Sequence, residues 1–201
     1  MSETESLKLF DLYSTDELSI KDNALKPYIN LSPRILAKSH GRQNEKLAYI
    51  KTSIIERFAN RLAVSGHVGK KHKIITSWSS GKYNRNMKTM LQTMEIISKK
   101  TGKNPLQVII DAIENGSPRD EITVIEHAGA RYPQAVDCSP VRRVNLAVRW
   151  IVQGAYSKAF GKKTKIADSL ANEIINAAKG TMESYAASKK NESEKQADSA
   201  R

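Results

Sequence analysis

Apolar residues recur at helical spacing in five separate stretches of the chain. In the first stretch, Ile54, Phe58 and Leu62 stand four positions apart, and a second stretch repeats the pattern. Side chains spaced by three or four positions lie on one face of an α-helix. The spacing therefore predicts two amphipathic helices, near residues 53–65 and 84–100, whose apolar faces need a partner to pack against.

Local signals mark where these helices begin and end. Ser53 and Glu56 have the spacing of a capping box at the start of the first helix. Gly102 follows the second helix at the position typical of a C-cap. Asn104 before Pro105 predicts the start of a third, short helix, because asparagine caps the end and proline fits the first turn.

The same polar-then-proline signal returns at Ser139 and Pro140 and predicts a long fourth helix. Trp150 on this helix is predicted to lie in the core beside Phe160, with stacking on a base as the alternative. A fifth helix follows, and residues 181–190 predict a short sixth. The predicted apolar side of the fourth helix consists of Val144, Val148, Ile151, Val152 and Ala155.

Between the third and fourth helices the pattern changes from helical to extended. Residues 120–127 and 131–138 are rich in Ile, Val, Thr and Tyr, and Ala-Gly-Ala separates them. Two such runs predict an antiparallel hairpin at about residues 120–138. A lone two-stranded ribbon is marginally stable in water, so this one has to pack on the helices or be ordered by a ligand. The predicted fold is mainly α, with about six helices in a bundle and one protruding β-hairpin between helices three and four.

The two ends of the chain lack these patterns. Residues 1–45 have few apolar runs and contain Pro27 and Pro33, which predicts an extended N-terminal arm with at most one short helix. Residues 191–201 lack apolar anchors, which predicts a flexible C-terminal tail. We therefore expect one helical domain over residues 46–190.

Basic residues are concentrated in one part of the sequence. The chain has 33 Lys and Arg against 21 Asp and Glu, a net charge of +12, and residues 34–103 hold 16 basic and 3 acidic residues. A polyanion such as a nucleic acid is the partner that best compensates so uneven a field. The alternative is a basic surface that serves solubility.

The sequence shows no set of residues that would support catalysis or a metal site. His67 and His72 lack the spacing of a zinc site, and Cys138 is the only cysteine, which excludes an intrachain disulfide. No run approaches the roughly 18 apolar residues of a membrane span, and the first residues do not resemble a signal sequence. We therefore expect a cytoplasmic, non-enzymatic protein that needs no cofactor and no membrane.

Two basic segments are candidates for binding a nucleic acid. Residues 66–82 combine glycines and lysines with Trp78, an aromatic side chain that can stack on an unpaired base. On helix four, Arg142, Asn145 and Arg149 fall opposite the apolar stripe, which predicts a row of guanidinium groups suited to phosphate. An ordinary solvated face is the alternative for this row. The lysines of the loop are Lys70, Lys71, Lys73 and Lys82.

Several segments resemble one protein family. SPVRRVNLAVRW, at residues 139–150, resembles the opening of helix four in the small-subunit ribosomal protein seven family. NPLQVIIDAIENGSPRDE, at residues 104–121, resembles the archaeal and eukaryotic branch of that family. The similarity continues through QAVDCSP, IADSLANEIINAAKG and SYAASKK, and it covers about residues 53–190 in order. The resemblance implies a six-helix fold with a protruding hairpin and a structural constituent of the ribosome.

The resemblance also implies partners and site residues. It implies binding to the 3′ major domain of the small-subunit rRNA, where such proteins start assembly of the head, with the hairpin beside the exit-site tRNA and near the mRNA. Other head and platform proteins of the small subunit are further implied partners. The implied rRNA-binding residues are Lys70, Lys71, Lys73, Lys82, Arg85, Arg142, Arg143 and Arg149. The implied hairpin residues near tRNA and mRNA are Gly129, Arg131 and Tyr132.

One alternative from another class is a free-standing helical nucleic-acid-binding regulator. Such a protein uses a compact helix-turn-helix with a recognition helix and usually a dimer interface. This chain instead combines a predicted hairpin with basic residues spread over several elements. The pattern therefore favours the ribosomal interpretation.

Overall fold

Six α-helices and two small antiparallel sheets make up the described part of the chain, which comprises residues 8–32, 45–64, 67–68, 71–72, 74 and 78–201 of a computed structural model. The helices are α1 (Ile54–Leu62), α2 (Tyr83–Thr101), α3 (Pro105–Gly116), α4 (Pro140–Ala159), α5 (Ile166–Ala178) and α6 (Tyr185–Asp198). The strands are β1 (His67–Val68), β2 (Lys71–His72), β3 (Asp120–His127) and β4 (Ala130–Asp137), and single 3₁₀ turns span Lys26–Tyr28 and Ala48–Lys51. The predicted mainly helical fold, with its hairpin between helices three and four, is confirmed. None of the described helices is both long and apolar enough to span a bilayer.

Helix α5 lies at the centre of the bundle, where it packs against α2, α3 and α4. Its residues Leu170 and Ile174 are fully buried, and the whole apolar stripe predicted on α4 is buried as well. Trp150 is partly buried against this core, as predicted, but Phe160 is 52% exposed. The prediction that Phe160 lies in the core is therefore wrong, since α4 ends at Ala159 and Phe160 lies in the turn that follows.

Two of the four predicted helix-end signals form the expected bonds, whereas Ser53 and Ser139 make no side-chain cap hydrogen bond. The Asn104 side chain accepts a hydrogen bond from the Leu106 N–H at 3.0 Å, and Gly102, at φ +65°, closes α2. The capping box predicted at Ser53 is wrong, because the buried Ser53 hydroxyl has no hydrogen-bond partner within the described residues. The N-terminal arm provides the bond instead, since the carbonyl oxygen of Asn30 accepts from the Ile54 N–H at 2.8 Å.

The described part of the N-terminal segment, residues 8–32, packs on the helical body. Leu9 and Leu25 are fully buried and Ile29 is 5% exposed, so this segment contributes to the core. Gln107 on α3 exchanges two hydrogen bonds with the backbone of Ser19. One 3₁₀ turn, Lys26–Tyr28, lies in this described segment, whose apolar residues pack against the helical core.

Helix α6 extends beyond the predicted end of the sixth helix and includes most of the segment expected to be a tail. Its apolar anchors are alanines, among them the fully buried Ala186 and Ala197, which are too small to form a visible stripe in the sequence. Alanine is also the best helix former. The helix packs on α4 and on the base of the β3–β4 hairpin, where the Ser193 hydroxyl donates to the Asp120 carbonyl oxygen.

The hairpin projects from the body. Its base is half-buried at Glu121, Ile122, Ala135 and Val136, whereas its outer half is exposed. The turn consists of two residues, Ala128 and Gly129, at φ +50° and +80°. Two positive φ angles are typical of a tight type I′ turn, so the predicted three-residue Ala-Gly-Ala connection is wrong by one residue.

Candidate nucleic-acid interface

A polar cleft lies between α1 and α4 and contains three arginines. Arg57 and Arg61 stand one turn apart on α1, and they face Asn145 and Arg149, which stand one turn apart on α4. The cleft has a volume of about 300 Å³. The described residues that line it are Tyr49, Thr52, Arg57, Asn60, Arg61, Val64, Asn145, Val148 and Arg149. None of these lining residues carries a carboxylate. This cleft is therefore positively charged.

Arg57 forms the inner wall of the cleft and is only 8% exposed. Its guanidinium donates to the Tyr28 carbonyl oxygen at 2.8 Å and to the Asn145 side-chain oxygen at 2.9 Å, and it lies 5.6 Å from the centre of the Tyr49 ring. Asn145 in turn donates to the Tyr49 hydroxyl at 3.0 Å. Burial lowers the pKa of Arg57 from its usual value. These bonds fix the positions of the side chains and connect α1, α4 and the N-terminal segment.

Arg61 lies further out and is incompletely paired. Its Nε and Nη2 atoms are buried and have no hydrogen-bond partner among the described residues. Burial, and then the nearby charge of Arg149, lower the pKa of Arg61. Two guanidinium groups repel one another unless an anion lies between them, and unpaired buried donors are unfavourable. A phosphate group would reduce the repulsion and also accept hydrogen bonds from the unpaired donors, because its oxygens can accept from two planar guanidinium groups at once.

The structure does not present the predicted row of free arginines on α4. Arg142 donates to Glu121 at the base of the hairpin at 2.6 Å. Arg143 is paired with Asp22 at 2.8 Å and also donates to the Pro118 carbonyl oxygen at 3.2 Å. Among the described residues, Arg149 alone of the three forms no ion pair, and it is exposed. Arg142 and Arg143 therefore have internal partners, which the helical spacing could not reveal.

The predicted loop between α1 and α2 is only partly within the described residues. Lys70 and Lys73 lie outside them, and only the backbone of Lys71 is described, in the small β1–β2 ladder. The composition of residues 66–82 predicts a loop, but the ladder pairs His67–Val68 with Lys71–His72 as two short strands. Lys82 is exposed just before α2. Arg85 lies over the Trp78 ring, 4.0 Å from its centre.

At the tip of the hairpin, charge is balanced locally. Arg131 forms an ion pair with Glu126 directly across the ladder, with 3.5 Å between nitrogen and oxygen. Tyr132 is 57% exposed and stands opposite Ile125. Gly129 supplies one of the two positive φ angles of the turn. Tyr132 is thus a large aromatic group near the tip that is available for contact.

The sequence prediction missed Arg57, Arg61 and Tyr49. Their signal was present, because two arginines four positions apart on a short helix must share a face with one another. That face lies beside the apolar stripe, and arginines at such positions are usually exposed to solvent without a specific role. Their common site becomes visible only when α4 is packed alongside.

Comparison with known proteins identifies the family. The family described as ribosomal protein S7p/S5e matches residues 25–201 of the chain. The chain belongs to this family. It is 47% identical over 196 residues to the small ribosomal subunit protein uS7 of Nanoarchaeum equitans, a match that covers 97% of this chain and 99% of that protein. It is 41% identical over 198 residues to the protein of the same name from Archaeoglobus fulgidus, covering 98% of this chain and 96% of that protein.

The match confirms the resemblance seen in the sequence, including its archaeal type. A member of the S7p/S5e family is a structural ribosomal protein and not an enzyme. This membership favours the ribosomal interpretation over the free-standing regulator. Among the described residues, no group of three or more His, Cys, Asp and Glu side chains is placed to hold a metal ion.

Proposed function

We propose that this chain, a structural protein of the small ribosomal subunit, is a primary rRNA-binding protein that binds the 3′ major domain and nucleates assembly of the head. Its place of action is the cytoplasm, where ribosomes translate. Neighbouring head and platform proteins then join a surface that this protein and the rRNA form together. The proposal rests on the family membership and on the chemistry of the α1–α4 cleft.

The cleft is the observation that supports RNA binding most directly. Arg61 has two buried nitrogens that find no partner in the described part of the chain, and the exposed Arg149 guanidinium lies close enough to affect its pKa. Carboxylates neutralise Arg142 and Arg143 within the protein, but the described lining of this cleft contains none. An RNA phosphate is the anion expected there, since the backbone of a folded RNA presents many such groups on a rigid surface.

The hairpin would provide a second contact, near the exit-site tRNA at the subunit interface. Its outer half is free of the body, so it can reach a ligand held beside the head. The hairpin from Asp120 to Asp137 carries four acidic residues and a single arginine, Arg131. We therefore expect Tyr132 and the backbone near Gly129 to make this contact by packing and hydrogen bonding more than by charge.

The test compares binding of the protein to the isolated 3′ major domain and to an unrelated RNA of equal length. At ~150 mM salt we expect a clear preference for the 3′ major domain. Arg149→Ala should weaken that binding and reduce the dependence of log affinity on log salt by about one unit, as expected for the loss of one phosphate contact. Arg61→Ala should weaken it as well.

Lys99→Ala is the matched control, because Lys99 is an exposed cation paired with Glu95 at the far end of α2. It removes the same charge and should leave both the affinity and the salt dependence unchanged. Equal, weak binding of the wild-type protein to the two RNAs would contradict the proposal. An equal effect of Arg149→Ala and Lys99→Ala would show that net charge, and not the cleft, governs binding.

A further inference from the structure

A second cleft, lined with aromatic side chains, lies on another side of the helical body. It is bounded by the ends of α1 and α4 and by the starts of α2 and α5, and its volume is about 270 Å³. Leu62, Tyr156 and Ile166 contribute to its apolar lining, and Trp78 and Phe160 lie at its edge. This cleft shares no lining residue with the arginine cleft between α1 and α4.

The two aromatic side chains at the edge are unusually exposed. Trp78 is 63% exposed and Phe160 is 52% exposed, although both rings are large and apolar. The Arg85 guanidinium lies 4.0 Å from the centre of the Trp78 ring and also donates to the Trp78 carbonyl oxygen at 3.1 Å. Arg85 therefore holds the indole in place while most of its surface remains accessible. Exposed aromatic groups that are held rigidly mark a contact surface.

The rim of this cleft is basic. Lys162, Lys163 and Lys165 are exposed, and in the sequence they lie directly beside the lining residues Gly161, Thr164 and Ile166. No acidic residue occurs between Phe160 and Ala167 in the sequence. The side chains of Asn86, Thr89 and Thr164 add hydrogen-bonding groups to the lining. An apolar interior with a few polar groups and a lysine rim is complementary to a planar, hydrogen-bonding ligand joined to phosphates.

We propose that this cleft receives one unpaired base of an RNA, which inserts beside Trp78 and Phe160 while the lysines of the rim contact the flanking phosphates. The inference rests on the proposed rRNA binding. It extends that proposal by naming a second site and by specifying that this site binds an unpaired nucleotide. The volume lies just below the roughly 300–1,000 Å³ of sites for drug-sized ligands, so it suits a single ring system and not a helix. The lysine rim favours a nucleotide over an apolar side chain of a neighbouring protein.

The experiment uses Trp78 as its own reporter. Trp150→Phe leaves Trp78 as the only tryptophan, since the chain has 2. Single-stranded RNA oligonucleotides should quench its fluorescence, and the same oligonucleotides with abasic sites should bind more weakly and leave the emission unchanged. In direct binding assays, Trp78→Ala should weaken affinity for the intact oligonucleotide by roughly 5-fold to 150-fold, the range expected for the loss of one stacked base. Trp78→Phe should retain most of the affinity.

Met182→Ala is the control, because Met182 is also 63% exposed but does not line the cleft. Equal affinity for intact and abasic oligonucleotides, or normal affinity of Trp78→Ala, would overturn the inference.

The two proposals can fail separately. Preference for the 3′ major domain combined with indifference to Trp78→Ala would reject the base site alone. Quenching by single strands without such a preference would reject the proposed rRNA specificity alone.

Discussion

Lys158→Met should destabilise the protein far more than the partial exposure of this lysine suggests. Lys158 forms an ion pair with Glu173, with 2.6 Å between nitrogen and oxygen, and its own side chain is 42% exposed. Glu173 has no solvent exposure, and its other oxygen accepts from the Ser184 hydroxyl at 2.8 Å and from the Ala186 N–H at 3.3 Å. One carboxylate thus connects α4, α5 and the start of α6.

The loss in the free energy of unfolding follows from the contacts that Glu173 keeps after the substitution. Removing the ammonium leaves a buried carboxylate with two neutral donors among the described residues, and breaking a buried ion pair in this way costs about 3–5 kcal/mol. Because water already reaches Lys158, we expect the lower end, about 3 kcal/mol. When Glu173→Gln is added to Lys158→Met, no charge is left in the site. The double variant should therefore lose less stability than the two single variants together, by about 1–2 kcal/mol.

Urea unfolding followed by far-UV circular dichroism measures these free energies. Lys99→Met is the control, since its partner Glu95 is exposed, and exposed pairs of this kind contribute at most about 1 kcal/mol. The reasoning is refuted if Lys158→Met unfolds at the same urea concentration as Lys99→Met. Strict additivity of the two substitutions in the double variant would likewise show that the pair does not act as a unit.

Three further outcomes follow from the helix ends, the cysteine and the close approach of Tyr185 to Gly154 on α4. Asn104→Ala should cost about 1 kcal/mol or more in urea unfolding, because the Asn104 side chain caps α3. Ser139→Ala should cost little, because the Ser139 side chain makes no such bond to α4. Burial, and then the charge of Glu121, raise the pKa of Cys138 to about 11. At pH 8 only about one thiol in a thousand should therefore be ionised, so alkylation of the native chain should be far slower than alkylation in urea. Gly154→Ala should destabilise by about 1–3 kcal/mol in the same unfolding assay, since a Cβ there would stand 2.6 Å from that of Tyr185.

Features set by neighbours in the sequence could be predicted, and those set by distant contacts could not. Apolar spacing located the helices, and the Asn104 cap and the Gly102 turn depend on residues within one turn of them. The Ser53 capping box failed because a carbonyl from the N-terminal segment took over the end of α1. The predicted sixth helix ended too early, because buried alanines resemble solvent-exposed positions in a sequence.

The same division applies to the candidate interface. Helical spacing correctly placed Arg149 on an exposed face of α4, away from the buried stripe. It could not distinguish Arg149 from Arg143, whose partner Asp22 is 121 residues away in the chain. The arginine cleft needs α1 and α4 side by side, which is a property of packing. Sequence patterns identify which residues are basic, but the fold decides which of them are still available to bind.

The long sequence separation of the Arg143–Asp22 pair has a consequence for synthesis. The N-terminal segment emerges first, with Leu9, Leu25 and Ile29 unable to reach their final places until α3 and α4 follow. At roughly 5–20 residues per second, the 121 residues between Asp22 and Arg143 require about 6–24 s. During that interval the nascent chain exposes apolar groups that the finished protein hides. A nascent-chain chaperone that recognises short apolar segments would therefore meet its first target in this protein before the second half of the helical bundle exists.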